Sequence, residues 1–261
     1  MMRRESPYRQ LVIAGIALVM AVAAFADDES PSQDPAEAFV AANQAYDQGD
    51  YGRAVELYRH VIAAGVEDGR VHYNLGNAHL RNGELGEAVA AYRRARILRP
   101  RDQDIRANQS FARSAAKDAI EPPEPGPLVS TLLFWFYALS PKELLLLVVT
   151  VNLLFWGLAI GRIFRPQSEA LKWTSVFLAA ILIATAGSLL ARSWLSPPIA
   201  VVLPQEIEAH TAPALDSVVR FKLHAGTELR VRDRRESWVR VALPDGQQGW
   251  IEAQSLGLVE R

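Results

Sequence analysis

Histidine is the side chain best placed to do chemistry near neutral pH, and this chain carries five, at His60, His72, His79, His210 and His224. His72 and His79 lie seven residues apart on one helical stretch, too far for ligation of a metal from adjacent turns, and no carboxylate pattern completes a site. Cysteine is absent, which excludes disulfides, zinc-thiolate centres and cysteine nucleophiles. No phosphate-cradling glycine loop, serine elbow or paired carboxylates in a credible cleft can be found. The expectation is a protein with no catalytic residue, no metal and no cofactor. What is left is recognition chemistry. Asparagine amides, each with an acceptor and donors, recur in register at Asn43 and Asn77.

Those two asparagines belong to a 34-residue period over 35–102. Gly49-Asp50-Tyr51, Ala54, Tyr58 and Arg59 return as Gly83-Glu84-Leu85, Ala88, Tyr92 and Arg93, and Pro100 closes the second copy. Gly49 and Gly83 permit a left-handed backbone between two antiparallel helices. Ala54 and Ala88 are small where helices cross, and Leu57, Tyr58, Leu75 and Tyr92 fill the spaces between. Asp34, Pro35 and Glu37 read as an N-cap, a first-turn proline and a capping-box partner. A last amphipathic helix over 103–118 is expected to cover the open end with Ile105 and Phe111.

This region resembles the tetratricopeptide repeat (TPR) family, with repeats at about 35–68 and 69–102 and a capping helix at 103–118. The resemblance implies an all-α unit that binds an extended peptide or a helix on its concave face. Phe39, Asn43, Tyr46, Tyr73, Asn74, Asn77 and Asn108 are the residues it places there. Asn43 and Asn74 match asparagines of the carboxylate-clamp members, but Phe39 and Asp104 stand where that clamp has lysines, so a complete clamp is not implied. The alternative is that the asparagines satisfy neighbouring repeats and bind nothing.

Hydrophobic residues make up 50% of the chain and concentrate near 11–26, 128–164 and 173–195. Arg3, Arg4 and Arg9, the run Leu11 to Phe25 and the small-residue site Ala24-Phe25-Ala26 read as a signal peptide over 1–26, with an uncleaved anchor as the alternative. An acidic linker follows at 27–34. The proline cluster at 119–127 reads as a semi-rigid linker. Residues 128–139, with Phe134, Trp135, Phe136 and Tyr137, read as an interfacial helix.

Residues 142–164 and 173–195 are each near the ~20 residues needed to cross a bilayer. Arg162, Arg165 and Lys172 make the loop 165–172 cytoplasmic by the positive-inside rule, so both soluble segments are expected on the opposite side. Asn152 lies mid-span and calls for a hydrogen-bonding helix. Candidates are the second span, where Ala180, Ala184 and Ser188 permit close approach, or another protein. No intramembrane chain of charges suggests a transporter.

Beyond Ser196-Pro197-Pro198 the pattern becomes alternating, with Leu229, Val231, Val239 and Val241 against Arg230, Arg232, Trp238 and Arg240. Turn signals fall at Ala225-Gly226, Arg235-Glu236 and Asp245-Gly246. The domain at 199–261 reads as a small all-β barrel. Gly226-Thr227, Trp238-Val239-Arg240-Val241, Asp245-Gly246 and Gly249-Trp250-Ile251 resemble bacterial SH3-like domains, with the match good over 218–256 and weak over 200–217. Some members bind cell-wall peptide stems or partner peptides. Arg230, Arg232 and Arg240 beside Trp238 form a candidate basic face for an anionic peptide, the alternative being a solvated surface.

The full order of segments is similar to the aerotolerance-operon family called BatE. The most specific pieces are Tyr73-Asn74-Leu75-Gly76-Asn77, Gly83, Pro100-Arg101-Asp102, Asn108 and the stretch Trp238 to Trp250. The resemblance agrees with the two-pass inner-membrane arrangement, soluble domains on the periplasmic side, that the signal peptide and the loop charges lead one to expect. It also implies von Willebrand factor A-domain membrane proteins as partners, a MoxR-type AAA ATPase reached through them, and a role in stress or oxygen tolerance. The expected surroundings are therefore protein partners, the lipid bilayer and peptidoglycan. A net charge of −1 excludes a generally basic nucleic-acid binder. Two other readings are a cell-wall sensor acting through the SH3-like domain and an assembly factor for exported proteins.

Overall fold

The computed structural model describes residues 34–118, 120, 131, 133–165, 167–195 and 198–259. The expected signal peptide at 1–26, the acidic linker except for Asp34 and nearly all of the proline-rich linker lie outside the described residues. Five helices come first: α1 (Pro35–Asp47), α2 (Tyr51–Ala63), α3 (Gly69–Arg81), α4 (Leu85–Leu98) and α5 (Gln103–Ser114). They form two antiparallel pairs and a final helix. Asp34, Asp50, Asp68 and Asp102 cap α1, α2, α3 and α5 through side-chain oxygens that accept from first-turn amides. The expected reciprocal bond from Glu37 is not among these contacts; Asp34 binds the amide of Ala36 instead. Gly49 and Gly83 take φ of 83° and 80°, which lets the chain reverse between paired helices.

Ala42, Ala54, Tyr58, Val61 and Ala78 are sealed in the repeat core, where the alanines let helix backbones approach. Gly76 serves the same end, since a Cβ there would lie 2.7 Å from the Tyr92 ring. The expectation for α5 needs correction at one residue. Ile105 is buried together with Gln109 and Ala112, but Phe111 is 64% exposed and covers nothing. The stripe that turns inward runs through 105, 109 and 112, and Phe111 projects to the other side.

Helix α6 (Phe134–Ala138) precedes α7 (Pro141–Phe164), which opens with a full capping box between Ser140 and Glu143, and α8 (Glu169–Leu195). Within them, Pro141–Arg162 and Glu169–Arg192 are long and apolar enough to cross a membrane, with mean hydropathy of 2.4 and 2.0. Only 11% and 17% of their most apolar windows are buried, unlike core helices of a soluble domain. The two helices pack as a hairpin along Leu144, Val151, Ser175, Thr185 and Ser188. At this seam the second span does not supply the expected partners, which leaves the alternative of another protein. Among the described residues Asn152 makes no side-chain hydrogen bond to α8, and Ala180 and Ala184 face outward. Ser188 is buried, where it accepts from Trp135 Nε1 at 3.1 Å. Arg192 also donates to the carbonyls of Phe136 and Leu139 and lies over the Phe136 ring, so α6 is folded onto the end of α8. The repeats rest on the start of α7 through Arg101 with Glu143 and Lys142 with Glu67.

Seven strands complete the chain: β1 (Ile199–Val202), β2 (Glu206–His210), β3 (Val219–His224), β4 (Glu228–Arg235), β5 (Trp238–Ala242), β6 (Gln248–Glu252) and β7 (Leu256–Val259). They form one antiparallel sheet in the order β3-β2-β6-β5-β4-β1-β7. Alternation sends Leu223, Leu229, Val239, Val241 and Ile251 into one core. Residues 199–210, where the sequence signal is weak, supply two of these strands.

Candidate functional site

The asparagines of the repeats are joined to aromatic residues and to one another. Tyr58 donates to Asn43 Oδ1 at 2.6 Å, and Asn74 Nδ2 donates to the same oxygen at 3.0 Å. One repeat later Tyr92 donates to Asn77 Oδ1 at 2.7 Å, and Asn108 Nδ2 donates to it at 3.0 Å. Asn108 Nδ2 also reaches the Tyr73 hydroxyl at 3.0 Å. Phe39 against Tyr58 and Tyr73 against Tyr92 repeat the same tilted ring contact at 6.0 Å. The result is two rungs of a ladder linking α1 to α3 and α3 to α5.

Burial pushes the Tyr58 hydroxyl up to about 12 and raises that of Tyr92 too, so both remain protonated donors. The rungs use the carbonyl ends of Asn43 and Asn77 and the amino ends of Asn74 and Asn108. No further bond is formed among the described residues at Asn43 Nδ2, Asn77 Nδ2, Asn74 Oδ1 or Asn108 Oδ1. All four side chains are half-buried, and these two amino groups and two carbonyl oxygens take no partner among the described residues. Tyr46 stacks edge-on to Tyr51 at 5.3 Å beside this row.

His72 and His79 lie on the opposite face of α3 and bring no metal ligand with them; no cluster of three potential ligands occurs among the described residues. Burial lowers the pKa of His72 to about 4, with Arg94 adding to the effect and Glu67 and Asp68 opposing it. Burial also lowers that of His79, against the opposing bond to Glu84. Both histidines therefore take up a proton more readily when unfolded, where the pKa is near 6.5. The stabilising effect of each is complete above that value and is lost as pH falls below it, for His72 on the way to about 4. The repeats should lose about 1–2 kcal/mol from His72 alone between pH 7 and pH 5, after allowance for its partial exposure. Urea midpoints from pulse proteolysis at the two pH values should show this loss in the parent and a smaller one in His72→Gln.

A second cluster ties the sheet to the repeats. Glu228 at the head of β4 is almost wholly buried. Arg93 of α4 donates to it at 2.6 Å, and Arg113 of α5 donates through Nε and Nη2 at 2.7 to 2.9 Å. Gln109 completes the set at 3.5 Å. Asp118, just after α5, accepts from the His224 amide and ring, each at 2.7 Å, and from Thr227 Oγ1 at 2.5 Å. Burial would raise the Asp118 pKa, but these bonds outweigh it and hold the carboxyl below its ordinary value. An apolar seam adjoins, in which Val201 and Val259 pack with Ala88, Val89, Tyr92 and Ala112. Gly86 is needed there, because a Cβ would stand 2.4 Å from the Val202 carbonyl oxygen. Sequence reading missed this junction entirely.

The outer face of the sheet holds the third cluster. Cross-strand register sets Arg230 opposite Ala242, Arg235 opposite Trp238, and both Arg240 and His210 opposite Trp250. Trp238 meets His210 edge-on at 5.7 Å, and Arg235 and Arg240 lie over the Trp250 ring at 5.2 and 5.7 Å. Arg230 and Arg240 therefore share this face. Arg232 stands apart, exposed at the irregularity between Val231 and Asp233. Arg235, Trp250 and His210 belong to the cluster but were not among the predicted residues.

A helical-repeat module with an amide-lined face is thus joined to a small β module and to an apolar helical hairpin, a combination that suggests protein–protein interaction. Residues 39–103 match the tetratricopeptide repeat family, and residues 205–257 match the bacterial SH3 domain family. Comparison of the chain with curated proteins returns no match. Neither matched family is an enzyme family.

Proposed function

We propose that this chain is a non-enzymatic scaffold of the bacterial envelope, held in the inner membrane by α7 and α8, that grips an exported segment of a partner protein on the concave face of its repeats. The carrying observation is the asparagine ladder, which leaves donors and acceptors facing out at Asn43, Asn74, Asn77 and Asn108 on a module seated at the head of α7. Phe39, Tyr46 and Tyr73 flank that row and complete the proposed face.

The likeness to BatE supports a finer reading. In it both soluble modules lie on the periplasmic side, and the partners are von Willebrand factor A-domain membrane proteins that connect to a MoxR-type ATPase in a stress or oxygen-tolerance complex. Crosslinking followed by pull-down from membranes tests the scaffold. The intact protein should recover those membrane proteins, and a form with both Asn43→Asp and Asn77→Asp should recover fewer than a tenth as many. Equal recovery from both would remove the concave face from consideration.

A second reading is favoured by the sheet. The bacterial SH3 domain suggests binding to peptidoglycan, and the Arg235, Arg240, Trp238 and Trp250 cluster offers cations over aromatic faces. Arg240 Nε is moreover buried with no acceptor. On this reading Trp238→Ala with Arg240→Ala releases the protein from isolated peptidoglycan in a sedimentation assay, and the Asn43 and Asn77 changes leave it bound.

A further inference from the structure

The contacts between the repeats and the sheet fix which way the β4–β5 hairpin points. A Cβ at Gly226, just before β4, would lie 3.4 Å from Val89 and 3.5 Å from Leu85, near the start of α4. Two residues on, Glu228 meets Arg93, one turn further along α4. Against α5, which runs back, Asp118 meets Thr227 and Arg113 meets Glu228. Strand β4 therefore runs beside α4 in the same sense. Just beyond the end of α4, Arg101 pairs with Glu143 at the head of α7, where the apolar helical hairpin begins.

From Arg93 to Leu98 the helix advances about 8 Å. From Glu228 to Arg235 the strand advances about 23 Å, and still about 16 Å if inclined to the helix by about 45°. The tip of the hairpin, Arg234 to Ser237, thus comes down beside the repeats to the level of the α7 head. Helix α6 marks the same boundary, folded onto the end of α8 with Phe134 and Tyr137 exposed, as suits aromatic side chains among lipid headgroups.

The hairpin is strongly basic. Between residues 230 and 240 five arginines stand against two carboxylates, Asp233 and Glu236. Asp233 holds Arg235 at 3.4 Å and Arg240 at 3.8 Å. Arg232 and Arg234 are exposed and form no ion pair among the described residues. A guanidinium fork matches two oxygens of a phosphate. At the level of the headgroups it lies within a Debye length, about 8 Å, of anionic lipid, where the attraction is only partly screened.

We propose that the β4–β5 hairpin is a lipid contact, in which Arg232 and Arg234 bind the phosphates of anionic phospholipids and set the β domain against the membrane surface. This rests on the reading of α7 and α8 as membrane spans and is independent of what either recognition face binds.

The test uses the full chain in nanodiscs of phosphatidylcholine, with or without phosphatidylglycerol, that include a lipid bearing a nitroxide on its headgroup. Because the chain has no cysteine, bimane can be placed singly at Ser237→Cys, at the hairpin tip, or at Asp245→Cys, in the turn at the other end of β5. With phosphatidylglycerol present, the label at 237 should be quenched and the label at 245 should stay bright. Charge reversal by Arg232→Glu with Arg234→Glu should cut the quenching at 237 by about two-fold or more. Both arginines are exposed, so the variant keeps its fold. Equal quenching at 237 and 245, or quenching at 237 that neither phosphatidylglycerol nor charge reversal changes, would overturn the proposal. Bimane at Thr150→Cys, with the nitroxide moved deep into the acyl chain, separates the two levels. Quenching at 150 without quenching at 237 removes the lipid contact and leaves the spans, whereas no quenching at 150 removes both. If charge reversal abolishes sedimentation with isolated peptidoglycan but leaves the quenching at 237 intact, these arginines serve the wall and the lipid contact is rejected.

Discussion

Replacement of Glu228 by alanine should release the SH3-like β domain from the repeats while both remain folded. Its carboxylate sits between two guanidinium groups, with 3% of the side chain exposed, against 15% and 24% for Arg93 and Arg113. The desolvation of three charged groups is offset only because their bonds are short and nearly complete. Without the carboxylate, two arginines would face each other in a partly buried seam, a penalty of about 3–5 kcal/mol for breaking such a group from one side. Where that penalty exceeds what the apolar seam around Val201 and Val259 and the Asp118 bonds contribute, the domains separate before either unfolds.

Because the chain has no cysteine, spin labels at Ser110→Cys and Asp245→Cys report their separation cleanly. The parent should give one narrow distance distribution and Glu228→Ala a broad one. Glu228→Gln keeps the shape and part of the bonding and should fall between them. A narrow distribution in Glu228→Ala would mean that the apolar seam and Asp118 suffice to hold the domains together. On the proposed scaffold reading, loss of docking would separate the asparagine row from the aromatic and arginine cluster of the sheet, so the same variant shows whether they act as one body.

Asn77 offers the other large effect, and two substitutions there separate structure from recognition. Its Oδ1 accepts from Tyr92, which is fully buried, and from Asn108. Asn77→Leu strands the Tyr92 hydroxyl without an acceptor and breaks the link from α3 to α5. The cost is about 1–3 kcal/mol for the buried hydroxyl, and about 2–4 kcal/mol with the second bond. It should appear as a lower urea midpoint in pulse proteolysis of the repeats. Asn77→Asp keeps an oxygen for both donors, so the ladder survives and the midpoint should move little. It removes the outward donor and adds a negative charge, so partner capture should be lost. If Asn77→Asp captures the partner as well as the parent does, the amides serve the stack alone.

Much of the repeat architecture could be read directly. A side chain that returns every 34 residues must meet the same surroundings in each copy, so Ala54 with Ala88, Tyr58 with Tyr92 and Gly49 with Gly83 announce stacked helix pairs. Phe111 shows the limit of such reading. Amphipathicity gave α5 an inward face, but which apolar residue lies on it depends on the rotation of the helix against α4.

On the sheet, alternation identified β4 and β5, whereas Trp250 under Arg235 and Arg240 depended on pairing between β5 and β6. Asn152 and the small residues of α8 could be marked as needing partners, but not matched to them. Local sequence determined the elements of this protein, because helical and strand periods, caps and left-handed glycines act within a few residues of chain. Only the tertiary structure decided that Asn43 and Asn77 spend their carbonyls on Tyr58 and Tyr92, and that Glu228 closes against arginines 135 and 115 residues away. A charge on a strand has the same local signature whether it meets water or a buried guanidinium. That choice is made by long-range packing, where the energy of a contact has no period to betray it.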